Sequence, residues 1–207
     1  MPEKIKNILL DRDGTIIRDM NYMSHPENIV FLDNAANSLY RLYSSGMKLF
    51  LVTNQSGIGR GYFSHQDFCK VQDKLRSELG KSGVFFASEA YCPHDPADLC
   101  SCRKPDPGLW EQLQHSEHLL PEESLIIGDK LADIKFGLNS GLKYTILVLT
   151  GKGSREMDKL DISVPDFKDF YELQDVQTPH TPHVIARDLQ AAANWILDTG
   201  MGANNKQ

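Results

Sequence analysis

Apolar residues in this chain follow two alternating patterns. Short unbroken runs occur at 8–10, 49–52, 125–127 and 146–149; between them, apolar side chains recur every three or four positions. The first pattern fits strands buried on both faces, and the second fits helices with one buried face. Residues 6–11, 48–54, 124–129 and 144–152 therefore read as strands, and residues 83–92 contain another. Residues 33–46, 64–80, 106–119 and 131–142 read as helices, and 183–200 as a short strand and a last helix. In the first helix Ala35, Leu39, Leu42 and Tyr43 share a face, Asp33 or Asn34 caps the start, and Gly46 ends it. In the second, Ser64 is the N-cap with Asp67 three residues on, and Phe68, Val71, Leu75 and Leu79 form the buried stripe. Cys69 lies beside that stripe and reads as packing.

Strands alternating with amphipathic helices predict a three-layer α/β/α, Rossmann-like fold with a mainly parallel sheet. No linker divides the chain, so residues 1–200 are expected to form one domain. Residues 152–182 are less regular, and residues 201–207 read as a frayed tail.

Composition changes this picture little. The 207 residues are 41% hydrophobic and 24% charged, with net charge −6 and no long run of Lys or Arg. That balance speaks against nucleic acid as a partner but leaves room for a small anion held by a few local cations. No stretch reads as a targeting or membrane-spanning segment. A soluble cytoplasmic monomer is expected.

The candidate chemistry lies where the apolar runs stop. Ligands of open parallel sheets bind beyond the carboxyl ends of the strands. Three such ends carry polar residues: Asp11-Arg12-Asp13-Gly14-Thr15, Thr53-Asn54-Gln55-Ser56, and Gly128-Asp129-Lys130 with Asp133 beyond. In extended backbone Asp11 and Asp13 point the same way while Arg12 points elsewhere. Asp129 adds a third carboxylate from another strand. Three hard oxygen donors favour a hard divalent cation, and Mg²⁺ is the usual one beside phosphate. Thr53 and the amides after it can bind phosphate oxygens. Gly57, Gly59 and Gly61 lack the spacing of a dinucleotide fingerprint, and Arg60 reads as a loop anchor.

Cys92-x-His94 and Cys100-x-Cys102 bracket a short proline-containing loop. Three thiolates and one imidazole make a closed tetrahedral set, which predicts structural zinc. Lys104, two residues beyond the last cysteine, is the best candidate for a fixed cation. The other histidines (25, 65, 115, 118, 180 and 183) read as surface or core residues.

Taken together, "LLDRDGTI", "LVTNQSG", Lys104 and "IIGDKLAD" resemble the four motifs of the haloacid dehalogenase superfamily of phosphatases, from about Ile8 to Thr150. With the cysteine loop, they look like the branch that holds heptose bisphosphate phosphatases and histidinol-phosphate phosphatases. "PADLCSCRKP" resembles the histidinol-phosphate side; "TGKG" with "GDKLAD" resembles the heptose side, and the balance favours heptose. The resemblance implies a zinc loop without a large cap domain. It also implies hydrolysis of a small sugar phosphate, most simply in heptose supply for lipopolysaccharide. Asp11 would be the nucleophile and Asp13 the general acid and base. Mg²⁺ would sit on Asp11, the Asp13 carbonyl and Asp129, with Asp133 supporting them from behind. Thr53 and Lys104 would hold the transferring phosphoryl group. Asp19, Met20, Asn21, Tyr22, Asn54, Gln55, Ser56, Arg103 and Lys130 would contact substrate. A zinc-loop interaction module without catalysis is the remote alternative.

Overall fold

Seven strands form a single sheet in a computed structural model that describes residues 4–160, 162, 164–173 and 180–200. The strands are β1 (Asn7–Leu10), β2 (Lys48–Asn54), β3 (Phe86–Cys92), β4 (Ser124–Gly128), β5 (Tyr144–Val148), β6 (Phe170–Glu172) and β7 (Val184–Ala186). Their order across the sheet is β3-β2-β1-β4-β5-β7-β6. Every pairing is parallel except β6 with β7. The helices are α1 (Ala35–Ser44), α2 (Ser56–Gly59), α3 (His65–Lys81), α4 (Gly108–Glu117), α5 (Leu131–Asn139), α6 (Gly153–Met157) and α7 (Leu189–Asp198).

Strand periodicity splits the core into two layers. Ile8, Leu10, Leu49, Leu51, Leu125 and Ile127 face one side, against Leu39 and Leu42 of α1, Val71 and Leu75 of α3, and Trp195 and Ile196 of α7. Leu9, Phe50, Val52 and Ile126 face the other, against Trp110 and Leu113 of α4 and Phe136 of α5. Both faces are apolar because both are covered, which is why the strands appear as unbroken runs. From β1 the chain goes first to β2 on one side and later to β4 on the other. The crevice between β1 and β4 is thus the switch point of the sheet, and the candidate carboxylates stand at its carboxyl end.

Several local expectations are corrected. Neither Asp33 nor Asn34 caps α1. Asn34 lies in the left-handed region (φ 57°) without a capping bond, and its amide donates instead to Gln190 at 2.8 Å. Tyr43 is 37% exposed and leaves the buried face to Ala35, Ser38, Leu39 and Leu42; its ring sits at the rim, edge-on to Phe85. The strand expected in 144–152 stops at Val148, where the chain turns into α6. β6 has no counterpart among the expected strands: three residues are too few to show a period, and β7 defines them by pairing. The expected tail at 201–207 falls outside the described residues. Among the described residues, no helix is long and apolar enough to cross a membrane.

Candidate functional site

Asp11 and Asp129 are the residues that follow β1 and β4, and those strands are direct neighbours with Leu10 opposite Ile127. Asp133 lies in the first turn of α5, where its Oδ2 accepts from the Lys130 N–H at 3.0 Å. Carboxylate oxygens of Asp11, Asp129 and Asp133 lie within 4.8 Å of one another, and all three residues are buried. Two ammonium groups balance them. Lys104 Nζ donates to Asp11 Oδ1 at 2.8 Å and to the Val52 carbonyl at 2.7 Å, and pairs with Asp133 Oδ1 at 2.6 Å. Lys130 Nζ lies 3.2 Å from Asp129 Oδ1, 3.7 Å from Asp11 Oδ2 and 3.3 Å from the Asp13 carbonyl.

Three carboxylates against two ammoniums leave one negative charge in excess, and the titration follows. Burial alone raises Asp11, but Lys104 and Lys130 outweigh it and hold its carboxyl below the ordinary range. Asp129 is pushed up to about 7 by burial, then by Asp11 and Asp133, with Lys130 pulling the other way. Burial also lowers the affinity of Lys104 for its proton, but Asp11 and Asp133 more than restore it.

The donor set fits a hard divalent cation. Asp11 Oδ2 and Asp129 Oδ1 are buried and accept no hydrogen bond. Lys130 Nζ is their shared ionic neighbour, and a divalent cation there would balance the excess negative charge and give both oxygens a ligand bond. The Asp13 carbonyl reaches the same region, since Lys130 Nζ contacts all three groups at once.

Asp13 is held separately. Its Oδ2 accepts from Arg12 Nε at 3.1 Å and from Gln55 Nε2 at 3.0 Å. Arg12 does not simply turn away. It is fully buried, donates also to Gln55 Oε1 and Gln72 Oε1, and lies over the Phe68 ring at 5.6 Å. Gln55 in turn donates to Thr53 Oγ1 at 2.9 Å. Asn54 and Lys104 exchange two hydrogen bonds of 3.0 Å, Asn54 Nδ2 to the Lys104 carbonyl and Lys104 N–H to Asn54 Oδ1. That pair fixes the loop bearing Lys104 to the end of β2.

These groups line a cavity of about 320 Å³. Asp11, Asp13, Asp19, Asn21, Tyr22, Thr53, Asn54, Gln55, Ser56, Arg103, Lys104, Lys130 and Asp133 all reach it, while Asp129 lies beneath. Met20 does not: its side chain is 48% exposed, and Met23 lines the wall instead. Asn21 and Tyr22 both have positive φ (51° and 66°), uncommon for residues other than glycine, and with Met23 they line the cavity in succession. Arg103 Nη1 is buried without a hydrogen-bond partner. Arg60 pairs with Asp95 at 2.6 Å, as a loop anchor does, and also lines the cavity. Sequence reasoning missed Gln72, Met23 and Lys152. Each reaches the site from a different element, and no local pattern marks it.

Cys92, His94, Cys100 and Cys102 converge beside β3, with ligand atoms within 4.8 Å of one another. Cys100 Sγ is 3.5 Å from both other sulfurs, and His94 Nδ1 is 3.2 Å from Cys102 Sγ. Sulfurs on a tetrahedral zinc stand about 3.8 Å apart, from bonds near 2.3 Å, so the set is close to that geometry. Burial, then the contact with Cys102, holds the Cys92 thiol far above its ordinary range, a cost that a thiophilic cation reverses.

Two family models match: HAD-hydrolase-like over residues 101–192, and polynucleotide kinase 3 phosphatase over residues 6–131. A Haemophilus influenzae relative named D-glycero-beta-D-manno-heptose-1,7-bisphosphate 7-phosphatase is 38% identical over 153 residues, 71% of this chain and 83% of that protein. A Helicobacter pylori protein of the same name is 37% identical over 174 residues, 81% of this chain and 96% of its own length. Among solved structures, the D,D-heptose 1,7-bisphosphate phosphatase of B. bronchiseptica, complexed with magnesium and phosphate, superposes with a TM-score of 0.79. It is 27% identical and covers 94% of this chain and 99% of its own. By sequence, fold and the residues at its strand ends, the chain belongs to the haloacid dehalogenase-like hydrolases, in the branch of the D-glycero-D-manno-heptose-1,7-bisphosphate 7-phosphatases.

Proposed function

We propose that this enzyme is a Mg²⁺-dependent phosphatase acting on D-glycero-D-manno-heptose 1,7-bisphosphate, losing the 7-phosphate, in cytoplasmic heptose supply for lipopolysaccharide. The observation that carries the reading is Asp11. It is a buried carboxylate kept ionised by Lys104, with its second oxygen free of hydrogen bonds beside the equally free Asp129 Oδ1.

The chemistry divides into two transfers. Asp11 attacks phosphorus, the ester P–O bond breaks, and Asp13 gives its proton to the departing alkoxide. Water then attacks the aspartyl-phosphate, Asp13 takes the water proton, and inorganic phosphate leaves. Arg12 and Gln55 both occupy Asp13 Oδ2, which leaves Oδ1 to carry the proton. Thr53 and Lys104 stabilise the charge on the transferring group. Asp11, Asp129 and the Asp13 carbonyl would hold Mg²⁺, which would add further charge neutralisation. Asp19, Asn21 and Tyr22 face the sugar, and Arg103, whose Nη1 has no hydrogen-bond partner, meets the non-reacting phosphate. Zinc on Cys92, His94, Cys100 and Cys102 is structural, because four protein ligands leave no open position.

Phosphate release with Mg²⁺ tests this on three substrates: the heptose bisphosphate, histidinol phosphate and a 3′-phosphorylated oligonucleotide. The heptose compound is expected to give the highest kcat/KM. A higher value on either other compound overturns the substrate. Asp11→Asn is expected to show no turnover with an unchanged circular dichroism spectrum, and measurable turnover removes Asp11 as nucleophile.

A further inference from the structure

The four residues Thr150-Gly151-Lys152-Gly153 follow β5, and the catalytic steps make no use of them. We propose that this loop is the positioning element of Asp129: it takes one carboxylate oxygen and leaves the other for the divalent cation. The inference rests on the assignment of Asp129 as a cation ligand.

The Lys152 backbone N–H donates to Asp129 Oδ2 at 2.8 Å, while Oδ1 of the same group is buried, accepts no hydrogen bond and has only the Lys130 ammonium beside it at 3.2 Å. Glycine backbone walls the carboxylate on two sides. A Cβ on Gly151 (φ +55°) would stand 2.2 Å from Asp129 Oδ2, and one on Gly14 (φ +90°) 2.1 Å from it. The two walls are tied together, because Thr150 Oγ1 donates to the Gly14 carbonyl at 2.7 Å. A carboxylate gripped at one oxygen and walled by backbone cannot swing about its χ2, so its free oxygen keeps one direction. The loop also reaches the substrate side: Lys152 Nζ lies 3.5 Å from Asp19 Oδ2 and lines the cavity. One residue thus contacts the cation ligand through its backbone and the sugar-facing segment through its side chain.

Mn²⁺ binding, read by the electron paramagnetic resonance signal of the free ion, tests the proposal without any substrate. Gly151→Ala is expected to weaken Mn²⁺ binding by about tenfold or more, as loss of a group that orients a metal ligand does. Thr150→Val, close to isosteric, is expected to weaken it in the same direction, and Thr150→Ser to restore it. Should Gly151→Ala fail to fold, Thr150→Val against Thr150→Ser decides. Wild-type affinity in Thr150→Val and in folded Gly151→Ala overturns the positioning role. Asp129→Asn separates the two levels: if wild-type protein binds no Mn²⁺, or Asp129→Asn binds it equally well, the ligand assignment itself fails, and the loop inference with it.

Discussion

Lys104 is a buried cation on the wall of the cavity. It is 3% exposed and sits between Asp11 and Asp133, both also buried. Removing one partner of a buried ion pair leaves an uncompensated charge, a loss of about 3–5 kcal/mol. Lys104→Met, in the absence of divalent cation, is expected to lose stability of that order in urea unfolding. A loss under about 1 kcal/mol would mean that Lys130 takes over the neutralisation. Asp11 and Asp129 were legible in the sequence because an acid at the end of a buried strand is costly to desolvate unless a cation or a hydrogen-bond donor meets it there. Arg12 was not. Its partners Gln55 and Gln72 lie 43 and 60 residues away, and only the docking of α3 brings Gln72 to it.

Helix ends show how far local rules reach. Ser64 and Asp67 form the reciprocal cap that their spacing predicted: Ser64 Oγ accepts from Asp67 N–H, and Asp67 Oδ2 accepts from Ser64 N–H at 3.2 Å. The Ser64 hydroxyl, and then Lys70, lower Asp67 from its ordinary 3.8 to about 2. Since the folded value lies below the unfolded one, ionised Asp67 favours the folded helix above about pH 4. That contribution fades as pH falls from there through about 2. Ser64→Ala is expected to return the Asp67 carboxyl toward 3.8, which a carboxyl-detected NMR titration reads directly. An unchanged titration would assign the shift to Lys70 and to the backbone N–H of residue 64, which the substitution keeps. α1 obeyed no such rule, because its first turn is held by Gln190 of α7, a partner 156 residues away.

At the scale of the molecule, the cysteine loop is coupled to the catalytic cavity. Gln55 N–H donates to the Cys92 carbonyl at 2.7 Å, and Gly59 N–H to the Pro93 carbonyl at 2.8 Å. Arg60 pairs with Asp95, and Arg103-Lys104 leave the last cysteine directly into the cavity. Chelating zinc while keeping Mg²⁺ saturating is therefore expected to lower turnover before the sheet unfolds, seen as lost phosphate release with an intact far-ultraviolet circular dichroism spectrum. Full turnover in zinc-free protein would sever that coupling.

The sequence alone determined which segments are buried strands, which are amphipathic helices, and which acids and sulfurs stand at their ends, because these depend on period and on neighbours a few residues away. The tertiary structure decided what those ends do to one another. It placed Asp11 beside Asp129, turned Met20 outward and Met23 in, tied both Asp13 and Arg12 to Gln55, and set the loop after β5 against Asp129. Most such contacts join residues tens to more than a hundred positions apart, and only the order of strands in the sheet brings them within hydrogen-bond reach.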